Sequence, residues 1–106
     1  MYVKKISNYK IPVQNIKRAW RFYHEVFDMP NNKKLHLTVS VNKKDINFYK
    51  STHPTNKKFS IWVRDDKDDV INHFKSYYVN IINTKEKNKV IIKDDEENTI
   101  IVFTNQ

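Results

Sequence analysis

Apolar residues recur along this chain with two periods, alternation in short stretches and helical spacing in two longer ones. Tyr9, Ile11 and Val13 alternate with Asn8, Lys10 and Pro12, which predicts a strand over Ser7–Val13. Asn15 is a candidate helix N-cap. Behind it Ile16, Ala19, Trp20, Tyr23, Val26 and Phe27 fall on one helical face, with Lys17, Arg18, Arg21, His24 and Glu25 on the other. The stretch "DMPNN" stops that helix at Pro30. Leu35, Leu37, Val39 and Val41 then alternate with His36, Thr38 and Ser40. The polar turn "NKKD" leads into a return strand, with Ile46 and Phe48 against Asn47 and Tyr49.

After the loop "STHPTNKK" the pattern starts again. Phe59, Ile61 and Val63 alternate with Lys58, Ser60 and Trp62, and "DDKDD" places carboxylates where a helix N-terminus favours them. Val70, Ile71, Phe74, Tyr77 and Tyr78 form the second helical stripe. Three short strands are predicted at Asn80–Thr84, Lys89–Lys93 and Thr99–Thr104, separated by "KEKN" and "DDEEN". Strand, helix, strands therefore occurs twice, in one domain over 1–106 with modules 1–52 and 57–106.

Composition adjusts this picture only modestly. At 106 residues, with 39% hydrophobic content, the chain suits one small core. The absence of cysteine removes disulfides and thiolate chemistry. No apolar run approaches the ~20 residues of a membrane span, and the N-terminal "MYVKKISNYK" has no signal-peptide apolar region, so a cytoplasmic protein without membrane contact is expected. The net charge of +8 admits two readings. Glycine is absent, Ala19 is the only alanine, and Lys, Asn and Ile are heavily used, a composition that A/T-biased coding drift would produce. The other reading is a polyanion partner, against which stand lysines spread over loops and both ends and no nucleic-acid motif; nucleic acid is therefore not expected.

The segment "YKIPVQNIKRAWRFYHEVF" resembles the first module of the vicinal oxygen chelate superfamily, which includes glyoxalase I, bleomycin-resistance proteins, fosfomycin-resistance enzymes and extradiol dioxygenases. Val13, Asn15-Ile16, Ala19, Phe22-Tyr23 and Val26-Phe27-Asp28 carry the likeness. "FSIWVRDDKDDVINHFKSYYVNI" is similar to the second module, with Val70, Phe74 and Val79 in place. "IIKDDEENTIIVF" is similar to its closing hairpin, with Asp94 and Asn98 matching. The resemblance implies an α+β fold of two βαβββ-type modules, the first shortened, forming a curved mixed sheet with helices on the convex side. Family glycines are replaced by Asp28, Tyr78 and Glu97. Tyrosine tolerates left-handed backbone poorly, so the exit from the second helix is expected to be built differently.

Enzymes of the superfamily hold a divalent cation in the cup of the sheet. Carried over by position, the ligands fall at Asn8, Lys58 and Ile101, with the fourth near Asn47. Lys58 repels a cation and Ile101 has no donor atom, so no metal or other cofactor is expected. The alternation itself separates two faces. Tyr9, Ile11, Val13, Leu37, Val39, Ile46, Phe48, Phe59, Ile61, Val63, Ile100 and Val102 should pack on the helices. Asn8, Lys10, His36, Thr38, Asn47, Tyr49, Lys58, Ser60, Trp62, Ile101 and Phe103 should line the other side. If the sheet curls, that mixture of aromatic and polar groups suits a small molecule, and Lys10 and Lys58 favour an anionic or aromatic one. The same face would suit a homodimer interface, and the two uses are compatible. The leading expectation is thus a metal-free, glyoxalase-like small-molecule-binding protein without a catalytic residue set. The alternatives are a divergent enzyme of the same superfamily, using His36 and Tyr49, or a basic module that binds a polyanion. Drug capture of the bleomycin type fits poorly, because a cationic drug calls for an acidic cup.

Overall fold

A computed structural model of the chain describes residues 1–31, 37–53 and 56–106. Among these residues eight strands and two helices follow in the order β1 (Val3–Ile6), β2 (Lys10–Val13), α1 (Ile16–Glu25), β3 (Val39–Val41), β4 (Lys44–Lys50), β5 (Lys58–Val63), α2 (Lys67–Ser76), β6 (Asn80–Asn83), β7 (Lys89–Lys93) and β8 (Thr99–Phe103). They form a five-stranded sheet ordered β1-β5-β8-β7-β6 and a three-stranded sheet ordered β2-β4-β3. Within each module the first strand runs parallel to the last, β2 to β4 and β5 to β8, and the last is antiparallel to the one before it. The first module has no counterpart of β6 as a strand among the described residues; a single bridge from Asn31 to Val39 stands where β6 pairs with β7.

The N-terminal segment differs from the single strand expected over Ser7–Val13. It is two strands separated by a bend at Ser7–Tyr9. β1 pairs antiparallel with β5 of the second module, while β2 pairs parallel with β4 of the first. Ser7 holds the bend. Its N–H donates to the Ser60 carbonyl at 2.9 Å, and its Oγ accepts from the Ser60 N–H at 2.9 Å. Val3–Ile6 was not recognisable as a strand because its register shifts between Val3 and Lys5, which breaks the alternation. The strand expected from Leu35 is a second difference. β3 begins at Val39, and Leu37 sits in left-handed backbone at φ 54°, so it does not continue the alternation. Leu35 and His36 lie outside the described residues.

One core joins both modules. Tyr23 of α1 stacks on Phe27 at 5.8 Å and meets Phe48 of β4 and Phe59 of β5. Phe27 meets Phe74 of α2 edge-on at 5.6 Å. These edge and offset contacts add roughly 0.5–1.5 kcal/mol each beyond the area they bury. The expected apolar phase is largely in this core, with Tyr9 and Phe48 at its margin. Asn15 caps α1 through its Oδ1, which accepts from the Arg18 N–H at 3.0 Å.

The closing hairpin, Asp94–Asn98, is a second lock between modules. Asp94 is buried and accepts from the Tyr23 hydroxyl at 2.7 Å and from the Glu96 and Asn98 N–H groups. Glu96, buried as well, accepts from the Gln14 and Asn15 N–H groups and from the Arg18 guanidinium. Burial, then the Asp94 charge, holds the Tyr23 hydroxyl well above its usual pKa. The hydrogen bond to Glu96 raises Arg18 further.

The exit from α2 corrects the expectation that it would be built differently. Asp28, Tyr78 and Glu97 all keep left-handed backbone, at φ 53°, 57° and 65°. α2 ends in the arrangement glycine normally serves: the Tyr78 N–H donates to the Lys75 carbonyl and the Val79 N–H to the Phe74 carbonyl. Tyr77 and Tyr78 do not extend the buried stripe. They are 45% and 96% exposed, because the helix stops at Ser76 and the chain turns away. The "NKKD" turn is tighter still, with Asn42 and Lys43 both left-handed, as a two-residue hairpin demands.

Candidate functional site

The sheet faces turned away from the core carry the residues of interest. Cross-strand partners share a face, so the register of the five-stranded sheet assembles rows across it. Lys5 lies beside Trp62, Trp62 beside Phe103, and Phe103 beside Lys89. The next row holds Ser60, Ile101 and Ile91, and the one after it Lys58, Thr99 and Lys93. In the first row the Trp62 and Phe103 rings stack with centroids 5.1 Å apart and planes 13° from parallel. The Lys5 Nζ stands 4.9 Å from the Trp62 ring and the Lys89 Nζ 5.5 Å from the Phe103 ring. Two aromatics are thus enclosed between two ammonium groups, an arrangement worth roughly 0.5–1 kcal/mol per contact at such exposure.

No strand of this sheet contains an Asp or Glu. The nearest carboxylates are in turns: Glu86 pairs with Lys89 at 3.6 Å, and Glu97 pairs with Lys93 at 3.3 Å. Lys5 and Lys58 are exposed and have no carboxylate partner among the described residues.

The structure brings the expected residues together in two groups. Lys58, Ser60, Trp62, Ile101 and Phe103 share the face just described. Lys10 and Asn47 are partners in the three-stranded sheet, with Tyr49 beside Pro12, half-exposed. Asn8 stands in the bend between the two sheets. Thr38 precedes β3 and is buried, leaving it little surface to offer. His36 lies outside the described residues. Sequence reasoning missed Lys5 and Lys89, the two cations that touch the aromatic pair. Lys89 begins a correctly placed strand, and its two-residue spacing from Ile91 was the available signal. Lys5 gave none, since its strand is irregular and pairs with a distant segment.

The residues at the superfamily's metal positions do not fit a divalent cation. Lys58 brings a positive charge, Ile101 brings no donor, and Asn8, in the bend, and Asn47, on β4, are neutral amides. Among the described residues no three His, Asp or Glu side chains are placed to hold a metal ion. His24 and His73 are engaged elsewhere, bonding the Met29 and Val26 carbonyls at 2.9 and 2.6 Å.

Two paired βαβββ-type modules, the first one strand short among the described residues, with helices packed against mixed sheets, define the vicinal oxygen chelate fold, and this chain has it. The chain is similar to an integron cassette protein of V. cholerae, with 15% identity, a TM-score of 0.77 and coverage of 92% of this chain and 91% of that one. It is similar to a lactoylglutathione lyase from Agrobacterium tumefaciens, at 15% identity and TM-score 0.71, covering 91% and 90%. It is similar as well to the fosfomycin resistance protein FosX from Mesorhizobium loti, at 12% identity and TM-score 0.70, covering 94% and 91%. No family model and no curated protein sequence matches the chain. Among the described residues no helix is long and apolar enough to cross a membrane.

Proposed function

We propose that this chain is a metal-independent binding protein that takes an anionic ligand with a flat apolar body on the free face of its five-stranded sheet. One observation carries the reading: a stacked aromatic pair enclosed by Lys5 and Lys89 on a sheet whose strands contain no acid. The ring edges are the electropositive part of an aromatic quadrupole, so edges and ammonium groups attract the same sign of ligand. The apolar centre, Trp62, Phe103, Ile101 and Ile91, supplies contact area, while Ser60 and Thr99 supply hydroxyls that orient polar groups. The unsuitable donor set at the superfamily's metal positions supports metal-independent binding.

The test uses Trp62 as reporter in a Trp20→Phe background, since the chain has only two tryptophans. Naphthalene-2-carboxylate should quench Trp62 emission at lower concentration than 2-naphthylmethylammonium, and Lys5→Gln with Lys89→Gln should weaken the carboxylate at least fivefold. Equal binding of both probes, or indifference to the two substitutions, would refute the reading.

A further inference from the structure

We infer that the ligand of this face is single-stranded nucleic acid; the inference rests on the binding reading above and names its ligand class. The first support is charge placement. The +8 of the chain looks scattered in sequence, yet the register gathers Lys5, Lys89, Lys58 and Lys93 around one face. Glu86 and Glu97 pair with Lys89 and Lys93 from adjoining turns, while Lys5 and Lys58 have no carboxylate partner among the described residues and no strand of the sheet carries an acid.

Spacing is the second support. Lys5 and Lys89 are three strand gaps apart, about 14 Å, and Lys58 stands four residues from Trp62 along β5, about 13 Å. One phosphate group cannot reach all of these ammonium groups. A chain that repeats its charge along its length can, and a single strand brings a flat base with every phosphate. The third support is the aromatic pair. Each ring turns its outer face to the ammonium of a lysine with a flexible four-carbon stem, so a base can take the ammonium's place against Trp62 or Phe103 while the ammonium swings to the adjoining phosphate. Among the strand residues that share this face none is a carboxylate that would repel a backbone, and Ser60 and Thr99 add hydrogen-bonding groups without charge. A duplex, whose bases are already stacked, can use only the lysines.

Fluorescence anisotropy with end-labelled 12-nucleotide strands of dT and dA tests this, alongside the same dA strand as a duplex. The single strands should bind at least tenfold tighter than the duplex at 50 mM salt. A plot of log affinity against log salt should have a slope of about −2 to −3, as three or four phosphate contacts on a single strand require. Trp62→Leu should weaken the single strands about tenfold and leave the duplex unchanged, and Lys58→Gln, on an exposed side chain that the fold does not need, should flatten the slope by roughly 0.7. Trp62→Leu is read only with an unchanged circular dichroism spectrum; Phe103→Leu is the second aromatic variant. The inference fails if duplex or heparin binds as tightly as single strands, if AMP competes as well as an oligonucleotide of the same base, or if the chain self-associates in sedimentation and Trp62→Leu abolishes that association instead. Naphthalene-2-carboxylate separates the two readings: if it still quenches Trp62 selectively while oligonucleotides do not bind, only the nucleic-acid inference falls, and if neither binds, both do.

Discussion

Replacing Tyr78 by glycine should stabilise this protein, although it removes a large aromatic side chain. Tyr78 is held at φ 57° by the hydrogen bonds that end α2, so its backbone cannot relax without losing them. Left-handed backbone costs a residue with a Cβ roughly 1–2 kcal/mol. Glycine removes that cost and adds back about 0.5–1 kcal/mol of unfolded-state entropy. At 96% exposed, the tyrosine side chain buries almost nothing, so no packing is lost. The balance is a gain of about 0.5–1 kcal/mol. With roughly 2.1 cal/mol/K of unfolding entropy per residue over this length, that is a rise of roughly 2–5 °C in Tm. Differential scanning calorimetry of the wild type, Tyr78→Gly and Tyr78→Ala measures it. The alanine variant removes the same ring but keeps the Cβ, so it should stay near wild type. Glycine no more stable than alanine would show that the backbone at Tyr78 is unstrained and would refute the argument.

Other expectations concern the hairpin lock. Burial, then the Asp94 charge, raises the Asp95 carboxyl to about 6. A raised carboxyl favours the protonated folded state, so this group's stabilisation is complete below its unfolded pKa of about 3.8 and is lost as pH rises through about 6. Asp95→Asn should therefore raise stability at pH 7.5 by about 1 kcal/mol, discounted for the partial exposure of the side chain, with the gain gone by pH 4; a gain that is flat with pH would contradict this. Arg18→Ala leaves the Glu96 carboxylate, 1% exposed, with only the Gln14 and Asn15 N–H groups. It should cost about 2 kcal/mol, seen as a lower urea midpoint at unchanged m, and a cost within 0.5 kcal/mol, the range of an ordinary surface change, would mean the lock is not closed in solution.

What the chain determined by itself was whatever depends on neighbours in sequence. Helical spacing from Ile16 to Phe27 and alternation from Lys58 to Val63 are local signals, and both elements formed where their periods put them. The separation of two sheet faces was legible for the same reason, since the side-chain period of a strand is two. The acidic hairpin resembled a familiar motif in Asp94 and Asn98, and it closes on α1 and Tyr23. Three things waited for the tertiary structure. β1 is a strand only because β5 offers it a partner some sixty residues away, and no local period records that. Tyr78 adopts the conformation its own chemistry disfavours because the hydrogen bonds ending α2 and the packing of Phe74 outweigh a local cost of a kilocalorie or two. The lysines read as scattered along the chain because charge is distributed over strands that are distant in sequence; pairing those strands sets Lys5 and Lys89 on either side of Trp62 and Phe103, and a charged face exists only once register has been chosen.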